Sequence, residues 1–204
     1  MKDLAVLVAD KNTEAALGSL LARPQALGIH PIVADIFVHP RRDPGCVNEA
    51  HLFLQSFVQG YRYALVVLDH EGSGREQVLP AILSDQVTHQ LSQHGWLDRA
   101  QTVVIAPELE IWVWNPSPHV AACIGWGDRQ PDLRNWLAGT GRWPHDRLKP
   151  ARPKEALEAA LREIRRPRSS ALYGDLAERV SLRGHSEPAF VALMSTLQSW
   201  FPAD

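Results

Sequence analysis

At 204 residues, with 45% hydrophobic and 22% charged residues, the chain carries enough apolar side chain for one ample core and has an ordinary globular make-up. A formal net charge of −2 excludes a broadly basic nucleic-acid coat protein, though not an enzyme that meets phosphates with metal ions and a local basic patch. Cys46 and Cys123 stand far apart without metal-ligand spacing, and no apolar run reaches leader or membrane length, so the expectation is a cytoplasmic protein with free thiols and no membrane partner.

Residues 4–9 form an apolar run that reads as a buried strand. A helix is expected from about Thr13, capped by Asn12 or Thr13, with Ala15, Leu17, Leu20 and Leu21 on its apolar side. Asp10 then stands at a strand end, beside a helix N-terminus. Residues 30–38 read as a second strand, and residues 39–45 as a polar loop marked by Pro and Gly. Residues 48–59 read as a helix with Leu52, Phe53, Ser56 and Phe57 on one face. The strongest strand is 63–68, which runs into Asp69-His70-Glu71 and then Gly72-Ser73-Gly74; such a continuous apolar run is buried on both faces of a sheet. A helix over 76–94 and a fourth strand over 102–106 follow. Pro107 suits a first helical turn, and Glu108-Leu109-Glu110-Ile111-Trp112 comes next. Strand and helix alternate throughout, which predicts an α/β, Rossmann-like fold with a mainly parallel central sheet flanked by helices.

From Asn115 the character changes. Pro116 and Pro118 open a short helix over 119–124. Residues 125–153 are rich in Gly, Pro, Trp and Arg, with Trp126, Trp136 and Trp143 fixing the stretch against the main body. Residues 154–165, 170–180 and 187–200 read as helices. The expected organisation is an α/β core over 1–115, with an irregular Trp/Pro-rich segment and a helical C-terminal extension over 116–204 packed on it.

Parallel strands place their C-terminal ends on one edge, where open α/β sheets bind ligands. Asp10, the pair Asp69 and Glu71, and the pair Glu108 and Glu110 all fall on that edge. Carboxylates crowd together at a cost unless a cation or proton relieves them, and three or more oxygen ligands suit Mg²⁺ or Mn²⁺. Such an ion activates water and clamps a scissile phosphate, as in nucleases. The bland alternative is a solvated acidic turn after a core strand, with Glu108 or Glu110 favouring a helix N-terminus. Lys11 beside Asp10, and His70 inside the acidic motif, are candidate substrate contacts. So are Ser73, in a turn whose backbone N–H groups suit a phosphate, and the loop residues Arg41 and Arg42. Arg165, Arg166 and Arg168 form a second basic run. No nucleophile elbow or papain-type cysteine signature is present, which sets aside serine and cysteine hydrolases.

The pattern of Asp10-Lys11-Asn12 after strand one, Asp69-His70-Glu71 after strand three and Ala106-Pro107-Glu108-Leu109-Glu110-Ile111-Trp112 after strand four resembles the Toprim fold of topoisomerases, primases and OLD-family nucleases. That likeness covers about residues 1–115. With Lys149-Pro150, Ser169-Ser170-Ala171-Leu172-Tyr173 and Pro188-Ala189-Phe190, nearly the whole chain is similar to compact Toprim-like proteins of bacterial anti-phage islands, including a component of the methylation-associated defence system. The resemblance implies a metal-dependent nuclease or phosphoryl-transfer protein acting on DNA or RNA in anti-phage defence, with other defence-system proteins as partners. It places general acid/base chemistry at Asp10, where the family has Glu, with Glu14 one turn on to extend the reach. Asp69 and Glu71 match the family's Asp-x-Asp pair for Mg²⁺ or Mn²⁺, and Glu108 and Glu110 match its Pro-Glu-x-Glu-x-Trp signature as further ligands. The second reading is a non-catalytic Toprim-like subunit that binds nucleic acid or a protein partner.

Overall fold

The protein is described by a computed structural model covering residues 1–115, 117, 119–179, 181–182 and 186–203. Its frame is a four-stranded, all-parallel sheet in the order β2-β1-β3-β4. The strands are β1 (Lys2–Val8), β2 (Ala34–Val38), β3 (Tyr61–Asp69) and β4 (Ala100–Ile105). Alternate side chains feed two cores. Leu4, Val6, Val8, Leu65, Val67, Val103 and Ile105 enter one, and Ala5, Leu7, Ala64, Val66, Leu68 and Val104 the other. Burial on both faces explains why these strands read as unbroken apolar runs.

Helix α1 (Lys11–Leu21) and the short α2 (Pro24–Leu27) follow β1. The cap of α1 is Asp10, not Asn12 or Thr13: its Oδ1 accepts the N–H groups of Asn12 and Thr13 and the Thr13 hydroxyl. β2 is shorter than the expected 30–38. Pro31 has no N–H to give a ladder, and the preceding residues pair elsewhere: Ile29 bridges Pro202, and the His30 N–H donates to the Phe201 carbonyl.

Helix α3 (Arg42–Gln55) starts six residues before the expected position. Pro44 is tolerated because first-turn N–H groups need no helical partner. Starting at Arg42 changes the face that packs. Gly45, Cys46, Val47, Ala50 and Leu54 are buried, while Leu52, expected inside, is 58% exposed.

Helix α4 (Pro80–Leu91) is shorter than expected and ends in a single wide turn over 92–96, where Gly95 takes a positive φ. The expected helix after β4 is only α5 (Glu110–Val113). Pro107 lies ahead of it, after a cis peptide bond with Ala106.

The C-terminal part is helical: α6 (His119–Ile124), α7 (Leu133–Gly139), α8 (Pro153–Glu163), α9 (Ser170–Arg179) and α10 (Pro188–Trp200). Helix α7 lies inside the stretch expected to be irregular. Pro116 and Pro118, read as opening α6, and Val180, read as ending α9, lie outside the described residues. These helices share one apolar cluster with the sheet. Side-chain bonds tie them down further: Trp114 Nε1 donates to the Pro153 carbonyl at 2.9 Å, and Gln198 Nε2 to that of Leu27 at 2.8 Å. Trp126 packs on Trp136 and Trp143 on Trp114, so all three tryptophans singled out in the sequence anchor the 125–153 stretch. Among the described residues no helix is long and apolar enough to cross a membrane.

Candidate functional site

In the order β2-β1-β3-β4, the chain leaves β1 to one side for β2 and returns past it to β3, so the direction reverses between β1 and β3. Strand ends diverge at such a point and leave a crevice. A cleft of about 480 Å³ occupies that edge, lined by Asp10, Arg41, Arg42, Asp43, Asp69, Glu71, Glu108, Lys154 and Arg168 among others. Every strand delivers an acid to it or beside it.

Asp69, the last residue of β3, is the centre. Its backbone N–H donates to Asp43 Oδ1 at 2.8 Å, and its own Oδ1 is buried with no hydrogen-bond partner. Burial pushes its carboxyl well above the usual range, and the negative charges of Asp43, Glu110, Asp10 and Glu108 push the same way. Asp43 is raised too, chiefly by burial, against the pull of the bond from the Asp69 N–H. On the β1 side, the helix cap uses only Oδ1 of Asp10, which fixes the carboxylate while leaving Oδ2 outside the cap. Glu71 is exposed at the rim, and its N–H donates to the Pro107 carbonyl at 2.8 Å, joining the loop after β3 to the loop after β4.

Glu108 and Glu110 are buried, at 4% and 3% exposure, and both are engaged by cations. Glu108 accepts from the backbone N–H of Lys154 at 3.2 Å and from its Nζ at 3.4 Å. Its carboxyl is raised by burial and by Glu110, with Lys154 opposing. Glu110 sits behind the cleft lining, held by Arg168 Nη1 at 3.1 Å and by the buried Tyr173 hydroxyl at 2.5 Å. The expectation that both glutamates stand open as metal ligands therefore needs correction. Their charges are already met by α8 and by the segment leading into α9.

Arg168→Ala leaves Glu110 buried with only the tyrosine, and is expected to cost about 2 kcal/mol in urea unfolding. That figure allows for Arg168 being about one-third exposed. Adding Glu110→Gln should recover most of the loss.

Four other expected site residues are not brought to the cleft lining. Glu14 pairs with the exposed Lys11 at 2.7 Å, one turn into α1, so neither reaches the cleft. His70 is bound through Nε2 to the Val78 carbonyl at 2.8 Å, where it braces the loop. Ser73 is buried, with its Oγ accepting the Arg75 N–H, and the Gly72 and Gly74 N–H groups both go to Glu76 Oε1. The glycine turn is thus closed on itself and presents no phosphate cradle. Arg41 and Arg42 do line the cleft, Arg41 also pairing with Glu49.

Asp43, Lys154 and Arg168 complete the lining and were not singled out as part of the acidic site. Asp43 follows the C-terminal end of β2, which lies on the same edge as the other three strand ends, so the edge argument applied to β2 would have found it.

Whether this donor set suits Mg²⁺ or Mn²⁺ turns on two observations. Among the described residues no three His, Cys, Asp or Glu side chains stand close enough to form a ready-made metal cage. Against that, Asp69 Oδ1 is a buried acceptor with nothing to accept, facing the charge of four further carboxylates. Oxygen-only donors with an unmet negative charge are what a hard divalent cation neutralises. Asp69 with Asp43 and the rim Glu71 offers such oxygens around one cleft, short of a ready-made cage; Glu108 and Glu110 do not while Lys154 and Arg168 hold them. Comparison with protein-family models, with curated proteins and with solved structures finds no match to this chain.

Proposed function

We propose that the protein is a Toprim-like, Mg²⁺- or Mn²⁺-dependent phosphoryl-transfer protein acting on nucleic acid, a nuclease working in anti-phage defence. The observation that carries the reading is the orphaned Asp69 Oδ1 at the point where the sheet order reverses, surrounded by acids from the other strand ends. A divalent ion held by Asp69 with Asp43 and Glu71 would supply activation of water and neutralisation of phosphate charge.

The chain's own groups do the rest. Arg42, Lys154 and Arg168 border the same cleft and offer cationic donors to phosphate oxygens. Asp10, its Oδ1 fixed by three donors, has Oδ2 free to take a proton from an attacking water. The Ser-Gly turn, closed by Glu76, holds Glu71 at the rim.

A second reading, a non-catalytic subunit that binds nucleic acid or a defence partner, is favoured by one feature: Glu108 and Glu110 are committed to Lys154 and Arg168. Incubation with plasmid, single-stranded DNA and RNA in Mn²⁺ or Mg²⁺ separates the two. The nuclease reading expects cleavage that EDTA stops and that Asp69→Ala reduces by at least about a hundredfold, the scale of losing a charge-stabilising group. Cleavage equal in the variant, or none on any substrate with or without partner proteins, would leave the binding reading standing.

A further inference from the structure

A second cleft, of about 410 Å³, lies in the C-terminal part, outside the acidic site. It is lined by Trp136, Arg142, Ala159, Arg162, Glu163 and Arg165. Its size suits a nucleotide-sized ligand. Its charge is positive: Glu163 is taken by Arg129 at 3.4 Å, whereas Arg142, Arg162 and Arg165 are exposed and, among the described residues, form no ion pair. Trp136 is half-buried and packed on Trp126, with ring centroids 4.9 Å apart, and lines the cleft with an indole held in place. Guanidinium groups match phosphate oxygens, and an indole face takes an unstacked base whatever its identity.

Helix α8 joins this cleft to the acidic one. Lys154, Glu158 and Arg162 recur every four residues and so lie on one side of the helix. Lys154 borders the acidic cleft and Arg162 the basic one, about 12 Å apart along the axis. Glu158 between them is paired at 3.4 Å with Arg168, which it shares with Glu110, and this weakens its opposition to a passing phosphate.

We infer that the Trp136–Arg142–Arg162–Arg165 cleft is a nucleotide subsite for single-stranded nucleic acid, whose backbone follows α8 toward the acidic cleft. The direction of the strand, though not its binding, rests on the phosphoryl-transfer reading of that cleft. A duplex keeps its bases stacked and offers Trp136 no free face, so single strands are the preferred ligand.

The test is equilibrium binding by fluorescence anisotropy in EDTA, with short labelled oligo-dT, oligo-U and a duplex of equal length. Single strands are expected to bind at least about tenfold tighter than duplex. The triple variant Arg142→Gln/Arg162→Gln/Arg165→Gln should lower single-strand affinity about a hundredfold at low salt and cut the slope of log affinity against log salt by about 2. Trp136→Leu should cost about tenfold without moving that slope. Should that variant fold poorly, the arginine variant, altered only on the surface, still decides. Triple-variant binding within twofold of the parent overturns the subsite, as does equal affinity for duplex. Displacement of oligo-dT by polyglutamate at equal charge concentration also overturns it, and points to an acidic protein surface instead. Because no metal is present, absence of cleavage leaves these results readable. Cleavage retained with unchanged binding removes the subsite and leaves the acidic site standing.

Discussion

Replacing Asp69 by asparagine is expected to stabilise the metal-free protein while removing its response to metal. In the parent, the fold must either hold Asp69 charged against Asp43, Glu110, Asp10 and Glu108 or keep a proton on it, and both are costly. Its Oδ1 gains nothing in return, being buried without a donor. Asparagine removes the charge at constant shape, and its amide N–H can donate to the neighbouring carboxylates. The gain should be about 2 kcal/mol, and about 5 °C in Tm measured by scanning fluorimetry in EDTA. Mn²⁺ should show the opposite pattern. At a hundred times Kd, a bound ion adds about 2.7 kcal/mol to the parent and nothing to the variant. Loss of stability in EDTA, with Mn²⁺ still protecting Asp69→Asn, would mean that Asp69 is a structural anchor and not a strained ligand. A functional site that lowers stability when empty is the familiar trade between activity and stability.

The second large effect is expected at Gly45. A Cβ there would lie 2.0 Å from His39 Nδ1, 2.3 Å from its Cε1 and 2.9 Å from Arg41 Cβ. His39 is buried, and its Nδ1 accepts the Arg41 N–H at 3.1 Å, so the ring cannot swing aside without releasing that bond. Gly45→Ala therefore displaces the turn that carries Arg41, Arg42 and Asp43 into the cleft. The cost should be about 3 kcal/mol in urea unfolding, the upper range for overpacking. Any metal-dependent activity should fall further than stability alone explains, since Asp43 holds the Asp69 backbone. The control is Gly139→Ala, where a Cβ meets nothing within 4 Å. A Gly45→Ala protein as stable as that control would show that the turn yields without loss.

The parallel sheet was legible because its strands are buried on both faces and so read as apolar runs with acids at their ends. Asp10, Asp69, Glu71 and Glu108 could be placed on one edge from chain order alone, and the cleft brings them together. Asp43 escaped because Pro44 and Gly45 read as a loop, when they begin α3. The pairing of Lys154 and Arg168 with the acidic edge was beyond reach for a different reason, although Arg168 already stood out as part of a basic run. They meet Glu108 and Glu110 across 46 and 58 residues of chain, through the packing of helices whose positions no local pattern encodes. The same packing turned Glu110 from an expected ligand into a buried partner of Tyr173 and Arg168. Ser73 and His70 show the limit in miniature. Their residue types suit a phosphate site, but the Arg75 N–H takes the Ser73 Oγ and the Val78 carbonyl takes the His70 Nε2.

Calorimetric titration of Mn²⁺ into the metal-free protein decides whether the acids on the sheet edge hold a divalent cation. Saturable binding to the parent is expected, abolished in Asp69→Ala and weakened at least about tenfold in Asp43→Ala, with Glu110→Gln close to the parent. No heat of binding up to millimolar Mn²⁺, or binding undiminished in Asp69→Ala, would contradict it.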